Sequence, residues 1–497
     1  MKKYMNEGSI FTLFLFLNAL PLAVFRFFPT MDGASHLYNS NIILELLSHN
    51  HVFQSFFDLN PELVPNWTGH FILTLFNSFL PAWMAEKLFL ILYAILLPLS
   101  FRYLIHIVNP ENKILSLMAL PFVYTFVFGL GYYNFSLSLI VLFFSLAVYF
   151  KYRDISRVKF TLLFLGLFLL TYLSHLFFVV LLLALLLGIE VWRYFSVWAT
   201  SGQNDYKTFL INVAFVLIAA LPVILLTYNY LSNHASGDAA DSTSGVKESI
   251  KYLAIARPFV IYSFDWEQGF TILISIGMWF LLVLGTLLNI RKNGLWFFLK
   301  EKAIWFWLVV IFVLTYLFIP NSMGGAGNMQ NRILIVVFTT LILFAAFMSF
   351  PKWLQSISVI FIVTGQLLLV NYYVQVIRDL NPTAKQIEAS AKYVDKNSVV
   401  LPVNHSSNWL MLHFGNYLAI EKPIIVLDNY EADVRYFPVI WKDYNRPEMG
   451  LENEQIEYIL VYGNNAEKQA KLNEQFGSDF KLHHKSKLVK LYKRSER

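Results

Sequence analysis

Apolar stretches of roughly 17–25 residues recur along this chain, and each is long enough to cross a bilayer as a helix. Eleven can be marked: 9–28, 84–107, 113–130, 134–150, 158–172, 175–193, 208–229, 270–290, 302–320, 331–349 and 353–373. Residues 158–193 form one apolar block broken only at Tyr172 to His175, too long for a single tilted span, so a tight hairpin is expected. Hydrophobic residues make up 57% of the chain and charged residues 14%, about half of what soluble domains carry. The 47 phenylalanines suit lipid-facing surfaces and interfacial belts. These observations give the fold class: a polytopic α-helical membrane protein of about eleven transmembrane helices, with a small C-terminal extracytoplasmic α/β domain.

Charge sets the orientation. Lys2 and Lys3 put the N-terminus in the cytoplasm, and the clusters Lys151, Arg153, Arg157, Lys159 and Arg291, Lys292, Lys300, Lys302 mark cytoplasmic loops. These anchors agree only if 66–81 does not cross, so that segment reads as an interfacial or re-entrant helix. The first apolar run follows a short basic stretch but lacks a small-x-small cleavage site, and reads as an uncleaved anchor. The net charge of +6 is accounted for by cytoplasmic loops. No Lys/Arg stripe interleaved with aromatics appears in a soluble region, so nucleic acid is not an expected partner. The absence of cysteine excludes disulfides, zinc-thiolate sites and cysteine nucleophiles.

Two domains are expected. Residues 1–379 form the transmembrane domain, with a first outer loop, 29–83, carrying surface helices at 37–47 and 66–81. Residues 380–497 form the outer domain. Its apolar runs at 399–403, 424–427, 458–462 and 488–492 alternate with helical patterns at 383–395, 406–420 and 464–475, and 480–483 with 488–492 reads as a hairpin.

The residues able to do chemistry gather on the outer side. Asp32 and His36 follow the break at Pro29; four apart on a helix, they share a face, and an acid beside an imidazole is a common acid–base arrangement. Solvated residues at a membrane boundary would give the same pattern. Asn66 and His70 add polar groups in the same loop. In the turn Gly129 to Asn134, Tyr133 is either an interfacial anchor or a stacking surface for a sugar, and Asn134 is an amide near hydrocarbon that needs a partner. Asn321 to Arg332 is a glycine-rich turn feeding a helix that opens with an arginine. Gly324, Gly325 and Arg332 suit a lipid-linked phosphate, or form a flexible turn with one snorkelling arginine. His175, in its hairpin, is either a ligand-binding or a packing residue. Asp32 and His36 offer two ligands to a divalent metal, with no third evident by spacing; the sequence requires no cofactor.

This layout resembles the GT-C superfamily of polytopic glycosyltransferases: a cytoplasmic N-terminus, a long first outer loop opening with Asp32, surface helices within it, and an outer C-terminal α/β domain. The resemblance implies a polyprenyl-phosphate-linked sugar as donor and a catalytic or acceptor-positioning role for Asp32. The family often has a second acid near that aspartate; this chain has Gly33 and His36 there. The expected function is a glycosyltransferase at the outer face of the cytoplasmic membrane. The alternative is a lipid or glycolipid flippase, against which stand span interiors almost free of charge and no visible repeat.

Overall fold

The computed structural model describes residues 6–153, 155–234, 245–322, 327–442, 454–476 and 479–495. Among them, ten helices are long and apolar enough to cross a membrane: Glu7–Val24, Ala82–Val108, Tyr133–Tyr152, Arg157–Ser174, Leu176–Ser201, Tyr206–His234, Phe264–Leu299, Glu301–Phe318, Met329–Phe347 and Lys352–Tyr393. They account for ten of the eleven expected spans. Helices serve here because a backbone in hydrocarbon must satisfy every N–H and C=O within itself. The expected hairpin turns at His175, whose backbone is extended and whose Nδ1 accepts from the Phe177 N–H to cap the second helix.

The eleventh expected span, 113–130, is corrected. Pro110–Val123 is a 3-10 helix of 14 residues, followed by the short helix Phe126–Gly129. A 3-10 helix rises about 2.0 Å per residue, so this one covers about 28 Å, close to a bilayer core. Such backbone is tolerated at membrane depth only inside protein, and 115–125 is buried throughout. Asn112 anchors the segment by donating to the Ala345 carbonyl at 2.8 Å.

The chain divides into two compact units. One comprises 1–20, 93–128 and 135–372. Its Met329–Phe347 helix is buried along almost its whole length, and Asn18 ties the first span to the Leu120 carbonyl and to Gln366.

The other unit comprises 21–92, 129–134 and 373–497. Its strands are β1 (Phe57–Leu59), β2 (Val399–Asn404), β3 (Ile425–Val426), β4 (Val439–Trp441), β5 (Tyr458–Tyr462), β6 (Phe480–Lys485) and β7 (Val489–Arg494). Five form one sheet in the order β3-β2-β5-β7-β6; β2 runs parallel to β3 and β5, and β7 antiparallel to β5 and β6. The four apolar runs and the hairpin expected of the tail are all present. The 406–420 pattern is not an α-helix but two short 3-10 helices, Trp409–Met411 and Phe414–Ala419. The 66–81 segment is the 11-residue helix Trp67–Asn77, too short to cross. The helix expected at a surface over 37–47 spans Gly33–Leu47 and is buried on nearly every face. The cause is the tail: Tyr38 and Asn41 bond the backbone around Ala419 to Val426, and β1 pairs with β4, stacking Phe57 on Trp441 at 4.1 Å.

Candidate functional site

Asp32 is set where the break after the first span meets the turn after Gly129. Met31 and Asp32 donate their backbone N–H groups to the Gly129 and Leu130 carbonyls at 3.1 and 3.2 Å. Asp32 stands at the N-cap of the Gly33–Leu47 helix, yet its side chain makes no capping bond. It accepts instead from the Tyr430 hydroxyl. Its Oδ1 is buried with no hydrogen-bond partner, 3.9 Å from His413 Nε2. Burial pushes this carboxyl up to about 6, against the pull of His36, His413 and Tyr430.

His413 lies between the two 3-10 helices of the tail. Its Nδ1 is 3.1 Å from Asp428 Oδ1, and its ring stacks on Tyr430 at 4.6 Å. Burial opposes charge on this imidazole, but Asp428 and Asp32 outweigh it and raise its pKa. Asp428, His413 and Asp32 thus form an ordered array that ends on a buried carboxylate oxygen without a hydrogen-bond partner.

A second cluster lies one turn further along. His36 Nε2 is 2.8 Å from the Gly131 carbonyl, and His36 Nδ1 is 2.9 Å from Glu431 Oε1. His70 Nδ1 is 3.1 Å from the Asn66 carbonyl, and His70 Nε2 is 2.8 Å from Glu431 Oε2. The two imidazoles approach at 3.4 Å. Asn39 donates to Glu431 Oε2 at 2.6 Å. Burial works against the Glu431 carboxylate, yet His36 and His70 hold it well below the usual range. Burial likewise opposes charge on His36, and Glu431 reverses the effect. His36, His70 and Glu431 each offer one ligand atom within 4.8 Å of the others.

The remaining expected residues divide by location. Asn66, Tyr133 and Asn134 belong to the same unit as Asp32. The Asn134 amide accepts from the Gly69 N–H at 2.7 Å and donates to the Asn66 carbonyl at 2.9 Å, pinning the start of the Trp67–Asn77 helix. The Tyr133 hydroxyl is 2.9 Å from Thr30 Oγ1 beneath the Asp32 turn. His175 and Arg332 belong to the other unit, where both face Phe135, at 5.3 and 5.8 Å from its centroid. Gly324 and Gly325 lie outside the described residues.

Sequence reasoning missed His413, Asp428, Tyr430 and Glu431, and also Glu86, a buried acid whose carboxylate oxygens have no hydrogen-bond partner. Two signals were available. Asp428 to Glu431 sit just past the carboxyl end of parallel strand β3, where open α/β sheets place their ligand sites. Glu86 is an ionisable residue within an apolar span. His36 and Asp32, read as a pair, in fact have different neighbours: the imidazole nearest the Asp32 carboxylate is that of His413.

No family model and no curated protein matches this chain. Among solved structures it is similar to ArnT from Cupriavidus metallidurans in the apo state, at 11% sequence identity and a TM-score of 0.39, with 98% of each chain covered.

Proposed function

We propose that this chain is a membrane glycosyltransferase of the GT-C type, which moves a sugar from a polyprenyl-phosphate donor to an acceptor hydroxyl at the outer face of the membrane. The observation that carries this reading is the Asp32 carboxylate: buried, oriented by Tyr430, with Oδ1 open beside His413. A group with a pKa of about 6 is mostly ionised at neutral pH and basic enough to draw a proton from a hydroxyl in the transition state. In the step proposed, Asp32 takes the acceptor proton as the acceptor oxygen bonds to the anomeric carbon. The bond from that carbon to the phosphate oxygen breaks, and polyprenyl phosphate leaves with the electron pair. His413, fixed by Asp428, supplies positive charge that keeps Asp32 ionised.

The test is release of polyprenyl phosphate from radiolabelled polyprenyl-phosphate hexoses, with membrane lipid extract as acceptor. Asp32→Asn keeps the shape of the side chain and removes the base, so transfer should fall by about 10²–10⁴-fold. Undiminished transfer by that variant removes Asp32 from the role. Movement of the intact donor across liposomes, without release, would favour the flippase reading.

A further inference from the structure

The cluster around Glu431 lacks the protons to satisfy itself. A carbonyl oxygen only accepts, so the ring nitrogens on the Gly131 and Asn66 carbonyls, His36 Nε2 and His70 Nδ1, are the ones bearing hydrogen. In neutral imidazoles that leaves lone pairs on His36 Nδ1 and His70 Nε2. Both lone pairs face the Glu431 carboxylate, which is also only an acceptor. Three acceptors thus converge at separations of 2.9, 2.8 and 3.4 Å, all buried. Protonating both rings would bring two charged N–H groups, one of them aligned on Glu431 Oε2, to within 3.4 Å of each other. One proton serves one contact at a time, and Glu431 Oε1 has no aligned hydrogen bond although His36 Nδ1 is near. A cation at the centre serves all three at once.

We propose that His36, His70 and Glu431 form a binding site for a divalent transition metal, with zinc the best-fitting ion. Donor atoms about 2.0–2.1 Å from a tetrahedral zinc stand roughly 3.3 Å from one another. Here the two ring nitrogens stand 3.4 Å apart, each faces one oxygen of Glu431 at 2.9 or 2.8 Å, and one ligand atom from each residue lies within 4.8 Å of the others. Two nitrogens and one oxygen disfavour magnesium and calcium, which take oxygen ligands. The surroundings are those of a metal site. Each histidine holds its outer nitrogen on a backbone carbonyl, which fixes tautomer and ring orientation. The carboxylate is steadied by the Asn39 amide, which is itself bonded to Asn429. Three protein ligands leave a fourth position for water or a substrate oxygen, as in catalytic rather than closed structural zinc sites. The first outer loop supplies two ligands and the tail the third, which is why spacing did not reveal it.

The inference does not rest on sugar transfer. The full chain, purified in detergent on a tag without histidines, is assayed for metal by plasma mass spectrometry; about one zinc per chain is expected. His70→Gln and Glu431→Gln should each lose most of it. Asn39→Ala, which keeps all three ligands, should weaken zinc binding about 10- to 100-fold. Cobalt exchanged into the wild-type chain should give the visible absorption of a four- or five-coordinate ion, a readout independent of how the variants fold. Manganese or iron in place of zinc, lost from the same variants, would also support the site. A monodisperse wild-type chain without transition metal and without cobalt absorption overturns the proposal, as does zinc retained at full occupancy in both ligand variants. A metal-free chain that transfers sugar sinks this site alone, and a metal-loaded chain inert toward every donor sinks the transfer reading alone.

Discussion

Asp32 is held against a backbone that leaves no room beside it. Gly131 has φ +92, and a Cβ there would lie 2.7 Å from Asp32 Cβ and 2.8 Å from its nitrogen. Gly131→Ala therefore combines backbone strain with a collision against the proposed base. A loss of about 1–3 kcal/mol is expected, seen as a lower Tm, together with a drop in sugar transfer. Wild-type behaviour in both measurements would show that the close approach is dispensable. At this scale the first loop was legible and its partners were not. Asp32, His36 and His70 stand out because polar residues follow abruptly on an apolar run. Glu431 pairs with His70 across 361 positions, and no local pattern encodes a contact of that separation.

Among the elements, the Gly33–Leu47 helix is tied directly to the tail. The Tyr38 hydroxyl donates to the Ile424 carbonyl and accepts from the Val426 N–H, both at 3.0 Å, so one phenol bridges the ends of β3. Tyr38→Phe leaves both backbone groups buried and unpaired; a loss of about 1–3 kcal/mol in thermal unfolding is expected. An unchanged Tm would mean that the strand satisfies itself another way. The long elements were legible because a 20-residue apolar run has few other uses, and so were the strands of the five-stranded sheet, as short apolar runs between turn residues. The 3-10 segments 110–123 and 409–419 were not, since burial of most of 115–123 and 413–419 erases the periodicity that separates one helix type from another. Strands β1 and β4 are three residues each, too short for alternation to register.

For the whole molecule, ten crossings would bring the tail back to the side of the N-terminus, and counting the buried 110–123 segment as an eleventh, as the charge pattern requires, would put it on the opposite side. The lack of native cysteine makes that directly measurable. Lys487→Cys, on the exposed edge of the C-terminal hairpin, should react with an impermeant maleimide in intact cells. Gln203→Cys, in the short link before Tyr206, should react only after permeabilisation. The reverse pattern would invert the orientation, and labelling of both from one side would remove a crossing.

The distance in sequence between His70 and Glu431 has a consequence in time. A ribosome adding about 5–20 residues per second needs roughly 20–70 s to cover the 361 positions between them. Throughout that interval the two histidines of the first loop are already made, and the carboxylate they converge on does not yet exist. Synthesis of the segment around Glu431 therefore governs when the segment carrying His36 and His70 acquires its final surroundings.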